Sequence, residues 1–110
     1  MLVRQDALLL RILVGQYEFR GKRPLYECLL LKARELNLHS GAVVQGRMGF
    51  GPSRAGFART ATGTWDLPEI VELLDTSEKI EAFMDASHDL LLNVPMSLQE
   101  VTLLDNDSPR

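Results

Sequence analysis

Glycines, arginines and hydroxyl side chains are concentrated in one stretch of the sequence, residues 46–64. The glycines let the backbone approach a ligand closely, and consecutive N–H groups in such turns can bind an anion. The arginines would add positive charge and charge-assisted hydrogen bonds. The stretch therefore predicts a site for a small anion, with Gly46, Arg47, Gly49, Gly51, Arg54 and Arg59 as its candidate residues.

The glycine spacing differs from the common phosphate-binding motifs. No Gly-Lys-Ser/Thr follows as in a Walker A loop, and no G-x-G-x-x-G opens a helix here. The alternative interpretation is a surface loop whose glycines serve turns and whose arginines are solvated. Phe50 and Phe57 could stack on a base, or they could hold the loop against the protein surface.

Elsewhere the sequence offers few groups for chemistry. Cys28 is the single cysteine and is interpreted as a small core residue, while His39 and His88 are expected at a helix end and on the surface. No spaced Cys/His cluster suits zinc, and the acidic residues, Glu69 and Asp75 among them, are expected on solvated faces. We therefore predict no catalytic residue, no metal site and no cofactor.

Charge is divided unevenly along the chain. Residues 1–63 contain ten of the twelve Lys and Arg but four of the fifteen acids, and no acid lies within residues 36–65. The remaining segment is strongly acidic, and the sequence pI is about 5.3. This division favours a small anionic partner, and the acidic second half argues against nucleic acid.

Hydrophobic spacing predicts alternating strands and helices in one domain of 110 residues. The order favours an α+β, ferredoxin-like βαββαβ sandwich, with a four-stranded antiparallel sheet and two helices on one face. A connection of residues 48–64 is long for a hairpin and is expected to be functional. The predicted strands are residues 8–14, 42–47, 67–75 and 100–104, the helices are 24–37 and 77–91, and 105–110 form a flexible tail.

Both faces of the predicted strands are apolar, with Leu9, Leu13, Val71 and Leu73 as examples. The sheet face without helices then needs a cover, most simply another copy of the chain. No segment has the roughly 20 apolar residues that cross a bilayer, and the N-terminal apolar run is interpreted as a strand instead of a signal peptide. We expect a cytoplasmic homo-oligomer that does not insert into a membrane.

Four sequence motifs are shared with a known family. They are Gly21-x-x-Pro-Leu-Tyr26, the glycine run from Gly41 to Gly51, Leu67-Pro68, and Asp75-x-x-Glu-Lys-Ile80. Across about residues 8–104, the chain resembles the PII-like (GlnB-like) family known as domain of unknown function 190.

The resemblance implies a non-catalytic, PII-like signalling protein that assembles as a homotrimer. It implies adenine nucleotides of the ATP, ADP or AMP type in clefts between subunits, and a long loop that contacts a target protein. It places Gly46, Arg47, Gly49 and Gly51 at the cleft and Arg54 and Arg59 on the loop. Association with fluoride-export channels implies a membrane channel or transporter as the partner, and the alternative is an interaction adaptor that works through the loop without a ligand.

Two departures from PII signalling proteins stand in this sequence. The long loop contains no tyrosine for nucleotidyl modification. Residues 75–80 lack the Gly-Lys phosphate loop of those proteins.

Overall fold

The structure is a computed structural model that describes residues 1–50 and 67–106. Six strands and two helices occur in these two ranges. In chain order they are β1 (Leu2–Gly15), β2 (Phe19–Arg20), β3 (Arg23–Pro24), α1 (Leu25–Glu35), β4 (Ser40–Gln45), β5 (Pro68–Asp75), α2 (Ser77–Ala86) and β6 (Met96–Asn106).

Four long strands form one antiparallel sheet in the order β4-β5-β1-β6. Leu10 of β1 pairs with Leu73 of β5, and Ala7 pairs with Val101 of β6, so β1 and β5 lie at the centre. α1 connects β1 to β4, which is parallel to it, and α2 connects β5 to β6 in the same way. This arrangement confirms the predicted ferredoxin-like fold.

The core lies between one face of the sheet and the two helices. Alternate residues of the central strands point into it, because side chains on a strand alternate between faces. α1 contributes side chains at four-residue spacing, and α2 contributes an isoleucine and a phenylalanine. The fully enclosed members are Leu10, Ile12, Val14, Leu25, Leu29, Val71, Leu73, Ile80 and Phe83.

Strands β1 and β6 are longer than the sequence predicts. β1 begins at Leu2 and β6 runs from Met96 to Asn106, because the two strands pair with each other over residues 2–12. Their polar residues, such as Arg4 and Asp6, hide the alternation from which strands are predicted. β6 thus extends two residues into the predicted tail.

Both helices are shorter than predicted. Pro24 is the residue before α1 instead of its first-turn residue, and α2 ends at Ala86, beyond which the chain continues in turns. The cap of α2 is Thr76, whose hydroxyl accepts a hydrogen bond from the Lys79 amide at 3.3 Å. Cys28 is partly exposed, so its assignment to the core was wrong.

The hairpin of β2 and β3, whose strands have two residues each, lies between β1 and α1 and was not predicted. Phe19 pairs with Pro24 and Arg20 with Arg23. Gly21, at the turn, has φ 66°, a left-handed conformation that glycine adopts readily. Strands of two residues carry too little pattern to be recognised from sequence.

Candidate functional site

The segment that follows β4 is held against the start of β5. The Gly46 amide donates a hydrogen bond to the Pro68 carbonyl at 2.8 Å. A Cβ atom at Gly46 would meet the Pro68 Cγ at 2.7 Å, and one at Gly49 would meet the same carbon at 3.0 Å. Two of the predicted site glycines therefore have a packing reason: they let the chain pass over the Pro68 ring.

Arg47 lies between these two glycines and is exposed. Its neighbours Met48 and Phe50 are also exposed, at 81% and 88%. Arg47 is thus an exposed residue between a hydrogen-bonded glycine and one that passes close to the Pro68 ring, and an exposed phenylalanine follows three residues later. A guanidinium binds phosphate oxygens well, and an aromatic ring can stack on a base.

The structure thus brings together three of the six predicted site residues, Gly46, Arg47 and Gly49. The other three, Gly51, Arg54 and Arg59, lie outside the described residues. So do Phe57 and most of the predicted connection 48–64.

A buried carboxylate lies at the base of this segment. Glu69 is only 5% exposed, and its Oε1 accepts a hydrogen bond from the Gln45 Nε2 at 2.7 Å. Gln45 and Glu69 face each other in the β4–β5 ladder. The expectation that Glu69 is solvated was therefore wrong, and the site has a polar pair beneath it that the sequence analysis missed.

The signal for the burial of Glu69 was present in the sequence. Glu69 alternates with Val71, Leu73 and Asp75 along one face of β5, and that face is the buried one. Asp75 is likewise buried, at 9% exposure, and accepts hydrogen bonds from the His39 and Thr76 amides. For an acidic residue on a strand, its position relative to the buried aliphatic residues therefore predicts burial better than its charge does.

More positive groups lie at the same end of the sheet. Gly15, the last residue of β1, pairs with Pro68, and the β2–β3 hairpin with Arg20, Lys22 and Arg23 follows a few residues later. Glu18 in the connecting turn accepts a hydrogen bond from the Gly15 amide, and its carboxylate lies 3.7 Å from Arg20. α1 also begins here, so its positive dipole end adds to the cations of this edge.

Within residues 1–50 and 67–106, no three His, Cys, Asp or Glu side chains are grouped to hold a metal ion. In the same ranges, neither helix is long and apolar enough to cross a membrane.

Comparison with known proteins places the chain in a family. Residues 7–103 match the family DUF190, described as "Uncharacterized ACR". The chain belongs to this family. The match spans both helices and the four-stranded sheet, apart from the outermost residues of β1 and β6.

Solved structures with the same fold include PII-like proteins. The apo form of CPII from Thiomonas intermedia K12, a nitrogen regulatory PII-like protein, aligns with a TM-score of 0.64 at 7% identity, covering 96% of this chain and 100% of CPII. CPII bound to ADP, AMP and bicarbonate aligns with a TM-score of 0.57 at 9% identity, covering 97% and 100%. A putative PII-like signaling protein from Thermus thermophilus aligns with a TM-score of 0.57 at 10% identity, covering 93% and 91%. The chain thus has a PII-like fold.

Proposed function

We propose that this protein is a non-catalytic PII-like regulator that binds a small anion, an adenine nucleotide, beside the Gly46–Gly51 segment. Ligand binding would be transmitted through residues 48–64 to a partner protein, a fluoride-export channel in the cytoplasmic membrane. The regulator would be a single-domain, cytoplasmic homotrimer.

The observation that carries the proposal is the exposed Arg47, which directly follows a glycine hydrogen-bonded to the Pro68 carbonyl and precedes a second glycine that passes close to the Pro68 ring. A fixed backbone reduces the ordering cost of binding, because fewer torsions are lost when the ligand arrives. The cations of the hairpin and the start of α1 lie at the same end of the sheet and favour a phosphate group. CPII, a protein of the same fold, has been solved with ADP and AMP.

The uncovered face of the sheet supports self-association. Leu9, Leu13, Ile70 and Leu74 share that face and are only partly buried. Arg11 crosses it to donate to Glu72 at 2.9 Å and to Gln99 at 3.0 Å, so its charge is already paired. An apolar surface with its central charge neutralised suits burial against further copies of the chain.

Differential scanning fluorimetry with ATP, ADP and AMP tests the proposal. At 100 times its dissociation constant, a ligand stabilises the folded protein by about 2.7 kcal/mol, which raises Tm by several degrees. The Arg47→Ala variant should lose most of this shift, because it removes the guanidinium that contacts phosphate.

Arg4→Ala is the matched control, since Arg4 is an exposed arginine near the far end of β1. It should keep the full shift. Equal shifts in both variants would move the site away from Arg47, and no shift with any of the three nucleotides in the unmodified protein would remove the nucleotide-sensor function.

The exposed Met48 and Phe50 favour a second candidate function, an adaptor that binds its partner through the loop without a ligand. Adding the partner alone would then protect residues 48–64 from limited proteolysis. A regulator of the first kind would show protection that depends on nucleotide.

A further inference from the structure

A cavity of about 280 Å³ lies between the C-terminal half of α1 and the first residues of β4. Its size is close to the lower limit for small-molecule sites, roughly 300 Å³. Gly41 shapes the inner wall, because a Cβ there would meet Leu73 Cδ2 at 2.8 Å and Leu30 Cδ1 at 3.1 Å. The lining combines apolar and polar side chains: Leu30, Ala33, Arg34, Leu38, His39 and Ser40, together with Gly41.

The turn that forms the outer wall is fixed by two later parts of the chain. Lys79 of α2 donates from its Nζ to the carbonyls of Leu36 and Asn37, at 3.1 and 3.0 Å. The buried Asp75 of β5 accepts from the His39 amide at 2.8 Å. These three hydrogen bonds hold the turn in place without a ligand, which lowers the entropic cost of binding a small molecule.

The polar groups of the cavity are arranged around His39. Its Nε2 lies 3.2 Å from Asp105 Oδ1 of β6, and its Nδ1 lies 3.1 Å from the Ser40 Oγ. With Asp105 as acceptor, Nε2 carries a proton, and a neutral ring then accepts the Ser40 hydroxyl proton at Nδ1. In the imidazolium form Nδ1 donates to Ser40 Oγ instead, and the hydroxyl proton becomes free for another acceptor.

Arg34 supplies the second donor. It is exposed, lines the cavity, and makes no side-chain hydrogen bond or ion pair with any residue in the two described ranges. Planar guanidinium groups bind carboxylates through two parallel hydrogen bonds. Leu30, Ala33 and Leu38 line the same cavity and offer an apolar surface that suits a short hydrocarbon chain.

We infer that this cavity is a second binding site, which takes a small monocarboxylate with a short apolar chain. Arg34 holds the carboxylate, Ser40 donates a hydrogen bond when His39 is protonated, and the leucines contact the chain. The site lies at the first residues of β4, and the Gly46–Gly51 segment follows the last, roughly 16 Å away for a six-residue strand. It is therefore separate from the proposed nucleotide site.

Titration of ¹⁵N-labelled protein with butyrate, followed by NMR, tests the inference. Amide shifts should change at residues 38–42 with a dissociation constant on the order of millimolar, as suits so few ligand atoms. Arg34→Gln should weaken binding about tenfold through loss of the bidentate pair. Ser40→Ala should weaken binding about threefold through loss of the hydroxyl donor.

Two controls make the test decisive. Lys32→Gln removes a cation from the same helix turn without touching the cavity lining, and its affinity should be unchanged. Butyramide has the same shape as butyrate without the charge and should bind much more weakly. Equal binding of the two compounds, equal loss in Lys32→Gln and Arg34→Gln, or no shift at residues 38–42 would each overturn the inference. ADP shifts confined to residues 46–50 would leave it standing, because the nucleotide site is distinct.

Discussion

Gly46 shows how one residue can serve both packing and binding. Its missing side chain lets the chain cross the Pro68 ring, and its amide anchors the crossing through the Pro68 carbonyl. The same crossing presents Arg47 to solvent. A change at Gly46 is therefore expected to affect stability first and ligand binding as a result.

Gly46→Ala should lower the free energy of unfolding by about 1 to 3 kcal/mol, because the new Cβ would overlap the Pro68 Cγ. Urea denaturation measures this loss. In a Pro68→Ala background the ring carbon is absent, so the same substitution should cost clearly less. An equal cost in both backgrounds would show that the ring is not what the new methyl group meets.

The sequence could predict Gly46, Arg47 and Gly49 as a group, but not what holds them. Pro68 lies more than twenty residues away in the chain, and only the β4–β5 register brings it under Gly46. Glu69 was predicted as solvated because glutamates usually are. The alternation along β5 indicated its burial, but the hydrogen bond that it accepts from Gln45 could not be inferred from either residue alone.

At the scale of elements, the end of α1 depends on α2. The last carbonyls of a helix lack partners within the helix. Just after α1, the carbonyls of Leu36 and Asn37 accept hydrogen bonds from the Lys79 ammonium. Asn37 itself has a left-handed φ of 59°. The two βαβ halves of the fold are thus joined by a lysine as well as by the core.

Lys79→Met should keep the aliphatic packing of the side chain and lose both hydrogen bonds. We expect a loss of about 1 kcal/mol in the free energy of unfolding, since the ammonium is partly solvated and its bonds are correspondingly screened. Chemical denaturation checks the value, and Lys32→Met, in the last turn of α1, is the control. Equal losses of unfolding free energy in both variants would show that the hydrogen bonds from Lys79 to the end of α1 add no specific stability.

The order of the long elements was predictable because their apolar periods are clear, as in residues 8–14 and in Leu25, Leu29 and Ala33 of α1. Their ends were not. β1 and β6 are lengthened by pairing with each other at polar positions such as Gln5 and Thr102. This pairing forms only in the folded sheet, so neither segment shows it in its own sequence.

At the scale of the whole molecule, the division of charge along the sequence becomes partly a division in space. Arg47, the cations of the β2–β3 hairpin and the start of α1 occupy one end of the sheet. Asp75, Glu78 and Asp105 lie toward the other end, where α2 begins. The arrangement suits the proposed nucleotide at the first end, while the uncovered sheet face remains available for assembly.

Leu13→Lys should disrupt that assembly, because Leu13 lies opposite Ile70 on the uncovered face and a buried unpaired ammonium is costly. Light scattering should show a mass of about 37 kDa for the unmodified protein, three times the 12.3 kDa of one chain, and about 12 kDa for the variant. Leu31→Lys, at an exposed leucine of α1, should remain trimeric. A monomeric unmodified protein would contradict the homotrimer directly.

The turn between α1 and β4 has a consequence for the order of folding. Its contacts come from Asp75, Lys79 and Asp105, which lie 36 to 66 residues further along the chain. Contacts of such long sequence separation form only after large loops have closed. The helical turns of α1 can therefore form early, while the contacts at its C-terminal end form only after β5, α2 and β6 have folded. Substitutions at Lys79 are then expected to accelerate unfolding more than they slow folding.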